Sequence, residues 1–188
     1  MQVRTIVTGH TPEGKSVFVS DAPAERSTAF QSVPGFETTM VWETLPGATV
    51  PASEKNPAPL AKSWVPNAGG TNLMFITFPP DSVMGSPSFD PAAAGAEYMK
   101  VLPGLAEKFE MEHPGMHTCD TVDYGVLLDG EIHLELDDGA TKKLAPRDVV
   151  IQNGTRHAWR NKSDKPATML FVLVGASRGT ADSTRRWP

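Results

Sequence analysis

The chain has 188 residues, of which 39% are hydrophobic and 21% are charged, a composition typical of one ordinary globular domain. Its formal net charge of −5 excludes nucleic acid as an expected partner, because phosphate binding requires a basic surface. No stretch approaches the ~20 apolar residues that span a bilayer, and the N-terminus has no long apolar core of the kind that directs export. With Cys119 as the single cysteine, we expect a cytoplasmic protein that contacts neither nucleic acid nor a membrane.

Residues 1–80 are expected to form a β-rich extension. Two β-branched or aromatic runs, Val3–Val7 and Ser16–Ser20, flank a Pro- and Gly-containing turn and predict a hairpin. Phe36–Glu43 and Thr71–Phe78 also have the composition of strands, and the second stops at two prolines that cannot continue a sheet ladder. The Pro-, Ala- and Ser-rich residues 46–66 predict a long loop between them.

Residues 81–110 carry the helical signal of the chain. The sequence PAAAGAEYMKVLPGLAEKFE, residues 91–110, predicts one or two short helices, because Pro103-Gly104 interrupts it. We expect this helical connector to join the extension to a barrel core, residues 111–178, within a single domain.

The barrel core is predicted from short β segments separated by tight turns. Asp129-Gly130 and Asp138-Gly139 are strong hairpin signals, since glycine supplies the positive φ that such turns require. In EIHLELDD, apolar and polar residues alternate as in a strand with one buried face. Strands of this length and spacing favour an all-β, antiparallel barrel or sandwich. The predicted strand segments are VDYGVLL, EIHLELDD, ATKKLAP, DVVIQ, RHAWRN and TMLFVLV.

The polar residues of this region resemble the first of the two sequence motifs of the cupin superfamily. In that motif a His-X-His pair is followed by an acidic residue three or four positions on and by a glycine seven positions after the acid. His117, Asp123 and Gly130 match this spacing. Cys119 stands in the place of the second histidine, and Asp123 replaces a glutamate.

The second motif is matched more completely. It has a glycine three residues before a histidine and an asparagine four residues after it, and Gly154, His157 and Asn161 meet both conditions. Gln152 stands where the family has a proline. The chain thus resembles a small single-barrel cupin with a β-rich N-terminal extension, which implies an antiparallel double-stranded β-helix, or jelly roll.

The resemblance implies that His117, Asp123 and His157 converge near the mouth of the barrel as catalytic residues and metal ligands. Two imidazoles and one carboxylate are the facial triad that suits Fe(II), and Zn, Mn or Ni are alternatives. In a family member that has lost its metal, the two histidines would remain acid–base candidates, because an imidazole titrates near neutral pH.

Three further residues are predicted to bind substrate. Trp159 lies two positions after His157 and shares its face in a regular strand, so its ring is expected either to cap the pocket or to pack in the core. Gln152 and Cys119 complete this set. Two roles are open for Cys119. Its thiolate could be a metal ligand, which would favour Zn, or its side chain could simply be buried as a small apolar residue.

These residues predict a lyase or isomerase that decarboxylates, dehydrates or moves a proton on a small carbonyl or carboxylic metabolite. One alternative is an Fe(II)-dependent dioxygenase that uses the same three ligands. Another is a non-catalytic cupin that binds a small molecule. The N-terminal β segment resembles extensions that take part in subunit association, so we also expect a homodimer.

Overall fold

The computed structural model describes residues 2–51 and 56–179. In these residues the chain forms eleven strands, one α-helix and four short 3-10 helices. No helix in this part of the chain is both long and apolar enough to cross a membrane. The strands and the helix are β1 Arg4–His10, β2 Ser16–Pro23, β3 Arg26–Ala29, β4 Glu37–Thr44, β5 Thr71–Phe78, α1 Pro91–Val101, β6 Thr121–Asp129, β7 Ile132–Glu135, β8 Thr141–Leu144, β9 Val149–Asn153, β10 Ala158–Arg160 and β11 Ala167–Gly175.

The strands form an antiparallel jelly roll of two main sheets with a separate hairpin. The larger sheet has the order β3-β4-β5-β11-β6-β9, and the smaller has the order β10-β7-β8. β1 and β2 pair only with each other. The all-β fold predicted from the short strands is confirmed.

The predicted N-terminal extension takes part in the barrel. β5 pairs with β11 over its whole length, from Thr71 opposite Val174 to Phe78 opposite Ala167. β4 adds to β5, and β3 adds to β4 as the edge strand. β3 has the sequence RSTA, which is too short and too polar to be predicted from pattern. The strands β3, β4 and β5 are therefore structurally continuous with the barrel core.

The core lies between the two sheets. In β11 buried and half-buried residues alternate along the strand, with Met169, Phe171 and Leu173 on the buried face. Ile132 and Leu134 of the smaller sheet belong to the same apolar cluster, as their alternation with polar residues predicts.

The connector begins with a well-capped helix. The side chain of Asp90 accepts hydrogen bonds from the backbone N–H groups of Ala92 and Ala93, satisfying donors that have no partner within the helix. Pro91 occupies the first turn, where its missing N–H costs nothing. The helix ends before Pro103-Gly104, and a 3-10 helix follows at Ala106–Lys108, so the predicted interruption is confirmed.

Two predicted hairpin turns are present and differ in their surroundings. Gly130, between β6 and β7, has φ of +82° and lies against the backbone that enters β11. A Cβ at this position would be 2.5 Å from the carbonyl oxygen of Pro166. Gly139, before β8, has φ of +72°, but a Cβ there would meet nothing within 4 Å. A substitution at Gly139 therefore measures the destabilisation that comes from a positive φ alone, and a substitution at Gly130 adds the destabilisation that comes from close packing.

We expect Gly130→Ala to lower the free energy of unfolding by roughly 1–3 kcal/mol more than Gly139→Ala does, since both carry the strain of a positive φ but only the first forces backbone atoms apart. Urea unfolding followed by circular dichroism measures both values. Equal losses in the two variants would contradict the close packing of Gly130 against Pro166.

Candidate functional site

The candidate site is built around a direct pairing of the two motif histidines. The N–H of His117 donates to the carbonyl of His157, and the N–H of His157 donates to the carbonyl of His117, both at 3.0 Å. This is an isolated antiparallel bridge outside the named strands. Residues that exchange both hydrogen bonds project their side chains to the same face. The two imidazole rings accordingly lie with their centroids 4.2 Å apart.

Each ring is held by its own backbone. Nδ1 of His117 lies 3.1 Å from the carbonyl oxygen of Gly115, and Nδ1 of His157 lies 3.0 Å from that of Thr155. Because a carbonyl oxygen only accepts, each Nδ1 must carry the proton in these hydrogen bonds. In the neutral rings Nε2 therefore keeps its lone pair and is able to accept a proton or bind a metal.

Burial keeps both rings neutral. Desolvation lowers the pKa of His117 below its ordinary value. For His157, desolvation and then the proximity of His117 lower the pKa to about 4. Charging both rings at once is unfavourable, since two like charges would lie side by side away from water. At neutral pH the pair thus offers two basic nitrogens and no charge.

Aromatic rings surround the histidine pair. The ring of Trp159 lies 6.0 Å from that of His157, and the ring of Phe109 lies 5.0 Å from that of His117. Trp159 thus shares the face of His157, as their spacing predicts. Phe109 in turn contacts Tyr98 of α1, whose pKa is raised to about 12 by burial. Neither Phe109 nor Tyr98 was predicted, because nothing in a helical connector sequence indicates contact with a strand residue.

Asp123 lies on the inner face of the large sheet. It is paired with Gln152 of β9 and with Leu173 of β11 and is 8% exposed. Its Oδ1 is buried without a hydrogen-bond partner, and desolvation raises the pKa of the carboxyl to about 6. A buried oxygen without a partner indicates a position where a ligand group would find an acceptor.

The structure does not bring His117, Asp123 and His157 together as a metal site. Within residues 2–51 and 56–179, no group of three or more His, Cys, Asp or Glu side chains could hold a metal ion. Two neutral imidazoles with free Nε2 atoms fit a metal, but the carboxylate does not complete the set. Asp123 is one methylene shorter than the glutamate of the family motif.

Gln152 is engaged within the protein. Its Nε2 donates to the carbonyl oxygen of Thr155 at 3.2 Å and also contacts the Thr155 hydroxyl. The same carbonyl accepts from Nδ1 of His157. This amide is therefore placed to orient His157 through Thr155, whereas its predicted contact with substrate stays a prediction.

The surroundings of Cys119 fit a small buried apolar residue better than a thiolate metal ligand. Its side chain is buried, and burial followed by the charge of Asp123 raises the pKa of the thiol to about 12. A thiol with so high a pKa stays protonated at neutral pH and is a poor metal ligand. A role for Cys119 in substrate binding stays a prediction.

The motif asparagine serves the fold. Nδ2 of Asn161 donates to the carbonyls of Phe78 and Lys165, and its Oδ1 accepts from the N–H and the hydroxyl of Ser163. Asn161 is 1% exposed and fastens the connection between β10 and β11 to the end of β5. Gly154 adopts φ of +59° in the turn before His157. Both residues therefore position the segment that carries His157 and leads into β10.

Two arginines flank His157 on the outside of the barrel. Arg156 forms ion pairs with Glu110 and Asp137, and Arg160 pairs with Glu135. Both guanidinium groups line a polar cleft of about 340 Å³ that lies outside the barrel. As expected from alternation, neither shares the face of the histidine.

Comparison with known proteins agrees with this architecture. A family model described as "Cupin domain" matches residues 98–173. "Phomopsin biosynthesis cluster protein D" of Diaporthe leptostromiformis is 48% identical over 62 residues, which are 32% of this chain and 33% of that protein. A "Cupin-domain-containing oxidoreductase" of Neurospora crassa is 43% identical over 60 residues, 31% of each chain. The matched segments thus span about a third of the length of these relatives.

Among solved structures, the chain aligns with the putative ethanolamine utilization protein of Salmonella typhimurium. It is 11% identical, with a TM-score of 0.40, and the match covers 94% of this chain and 99% of that one. Residues 98–173, which include the paired motif histidines, therefore form a cupin domain.

Proposed function

We propose that this protein is an enzyme that moves a proton on a small, partly apolar carbonyl or carboxylic metabolite, in a decarboxylation, dehydration or isomerisation. The observation that carries the proposal is the histidine pair, with both Nδ1 atoms bonded to backbone carbonyls and both Nε2 atoms left free. This arrangement supplies a general base of fixed tautomer in a desolvated site.

The pair accommodates one proton at a time. Nε2 of one ring accepts the proton from substrate, and the charged ring then disfavours protonation of its neighbour, 4.2 Å away. The proton is therefore held on one nitrogen and returned to a second atom of the substrate or to a leaving group. Asp123, with its pKa raised to about 6, would donate a hydrogen bond to the reacting oxygen when protonated and accept one from a hydroxyl group when ionised.

The rings around the pair support an apolar or aromatic substrate. Trp159 contacts His157, Phe78 and Phe171, and Phe109 contacts His117. Such rings bind flat, weakly polar groups through burial and stacking. The charged side chains nearest His157 in sequence, Arg156 and Arg160, are paired on the outer surface.

A divalent metal stays a prediction for this site. When bound, an ion such as Fe, Zn, Mn or Ni would polarise a carbonyl oxygen of the substrate. Two neutral imidazoles support such binding, but the described residues offer no third protein ligand in the same group. We therefore assign no step to a metal.

Oxidoreductase activity is the second candidate. It is favoured by the names of relatives from Neurospora crassa and Aspergillus ruber, each called a "Cupin-domain-containing oxidoreductase". For this chain the corresponding activity would be that of an Fe(II)-dependent dioxygenase. A protein that binds its ligand without reaction would be the outcome if neither activity were found.

His157→Gln is expected to lower the rate of proton transfer about 100-fold or more, the size of a general acid–base contribution. The measurement is incorporation of deuterium from D2O into a panel of small carbonyl and carboxylic compounds, followed by NMR. His113→Gln is the matched control, since His113 is exposed at the outer cleft. Exchange that is equally fast in wild type and His157→Gln would contradict the proposed base.

Acid should destabilise wild type more than His157→Gln. The unfolded histidine takes up a proton near pH 6.5, whereas folded His157 resists protonation to about pH 4, so stability falls as pH drops through this range. At pH 5 the loss from this one group is about 2 kcal/mol. Asp123 acts in the opposite sense but is present in both proteins, so urea unfolding at pH 7 and pH 5 isolates the histidine. Parallel losses would show that His157 is not held neutral.

Proton transfer is expected to continue without oxygen and after dialysis against a chelator, because the histidine pair supplies the base. The measurement is the same deuterium exchange under nitrogen, beside elemental analysis of the purified protein. Oxygen uptake in proportion to bound iron, together with loss of exchange on chelation, would instead establish the dioxygenase candidate.

A further inference from the structure

Phe109, His117 and His157 form a minimal three-segment sheet, to which each segment contributes one residue. His117 lies in the middle, in isolated antiparallel bridges with Phe109 on one side and with His157 on the other. None of the three residues belongs to a named strand. Since a full strand adds hydrogen bonds along its length, this small sheet has little ladder bonding of its own to hold the two histidines together.

The two faces of this small sheet carry different side chains. The rings of Phe109, His117 and His157 contact one another in turn, with centroids 5.0 Å and 4.2 Å apart. Glu110 directly follows Phe109 and Arg156 directly precedes His157, so alternation turns both side chains away from the rings. Arg156 accordingly lines the polar cleft outside the barrel. The charged face therefore lies behind the face that carries the proposed base.

Glu110 and Arg156 form a two-pronged ion pair on this outer face. Nε of Arg156 donates to Oε1 of Glu110 at 2.7 Å, and Nη2 donates to Oε2 at 2.6 Å. The side chains of Glu110 and Arg156 are 33% and 28% exposed, so the pair is partly shielded from water. Two parallel bonds between a guanidinium and a carboxylate fix geometry in addition to stabilising the contact. The pair therefore ties the segment before His157 to the segment after Phe109.

Both tied residues adjoin the backbone that holds the imidazoles. Arg156 lies between His157 and Thr155, whose carbonyl oxygen is 3.0 Å from Nδ1 of His157. The N–H of Glu110 donates to the carbonyl of Met116 at 2.8 Å, which closes the turn that leads back to the other histidine. A shift of either charged residue would therefore move the backbone that orients an imidazole.

We propose that the Glu110–Arg156 ion pair positions the histidine pair from outside the barrel, with neither residue in contact with substrate. The inference rests on the proposed function, because it treats the two imidazoles as the base. Neighbouring ion pairs join other parts of the chain. Asp137, the second partner of Arg156, lies in the turn between β7 and β8, and Glu135, the partner of Arg160, lies on β7. Of these three ion pairs, only Glu110–Arg156 joins the segments that flank the histidine bridge.

Arg156→Gln and Glu110→Gln are each expected to raise the amide hydrogen-exchange rates of His117 and His157 roughly tenfold or more, because each removes a charge-assisted bond that opposes local opening of the bridge. NMR of the full chain measures both rates. The double variant should exchange no faster than either single variant, since both substitutions break the same bond. Unchanged rates in the two single variants, or additive effects in the double variant, would overturn the proposal.

Asp137→Asn is the matched control, since it removes the other ion pair of Arg156 and should leave the exchange of the histidine amides unchanged. The amide of Leu127, which donates to the carbonyl of Asp148, reports on the barrel in every variant. A rise confined to the histidine amides supports the positioning role. An equal rise at Leu127 would show a general loss of stability instead, and an equal effect of Asp137→Asn would show that any lost charge suffices.

The deuterium-exchange assay on carbonyl and carboxylic compounds separates positioning from substrate contact. Arg156→Gln should lower kcat roughly tenfold or more with KM nearly unchanged, because the base is displaced while the rings that would contact substrate remain. A change in KM alone would contradict the positioning role and indicate that Arg156 binds substrate. If wild type exchanged none of the compounds, the proposed function would fail, whereas the amide exchange rates would still decide the role of the ion pair.

Discussion

Two backbone hydrogen bonds between His117 and His157, each 3.0 Å long, are the interaction on which the rest of the candidate site depends. They form an isolated bridge, so few neighbouring ladder bonds reinforce them. The glycines at 115 and 154 have positive φ and allow the chain to turn sharply just before each histidine. The proximity of the rings therefore follows from backbone pairing, and side-chain packing acts on rings that are already side by side.

Backbone hydrogen bonds and removal from water together set the protonation of the ring nitrogens of His117 and His157. The carbonyls of Gly115 and Thr155 fix the proton on Nδ1, and desolvation lowers the pKa values so that Nε2 carries no proton in the resting protein at neutral pH. Hydrogen bonds from the backbone alone would stabilise a charged ring, but removal from water outweighs them here. The result is a pair of bases whose tautomer and charge are both set before any substrate arrives.

Sequence patterns predicted those features that depend on local periodicity. β5 has the predicted bounds Thr71–Phe78, and the alternation of faces along a strand predicted that Trp159 shares the face of His157. The contact of Phe109 with His117 could not be predicted, because it joins segments whose pairing is set by the whole fold. Spacing also placed Asp123 on a strand, but it could not show whether the carboxylate and the two imidazoles form one ligand group, and no such group is found among the described residues.

The strands β6 and β9 connect the chemistry of the barrel to its outer surface. Along β9, Ile151 points outward and Gln152 points inward, so any displacement of the strand moves both. Gln152 donates to the carbonyl of Thr155, which also accepts from Nδ1 of His157. The path from Ile151 to His157 therefore runs through one turn of the chain and two hydrogen bonds that share one acceptor, so the position of the edge strand β9 also affects the orientation of the base.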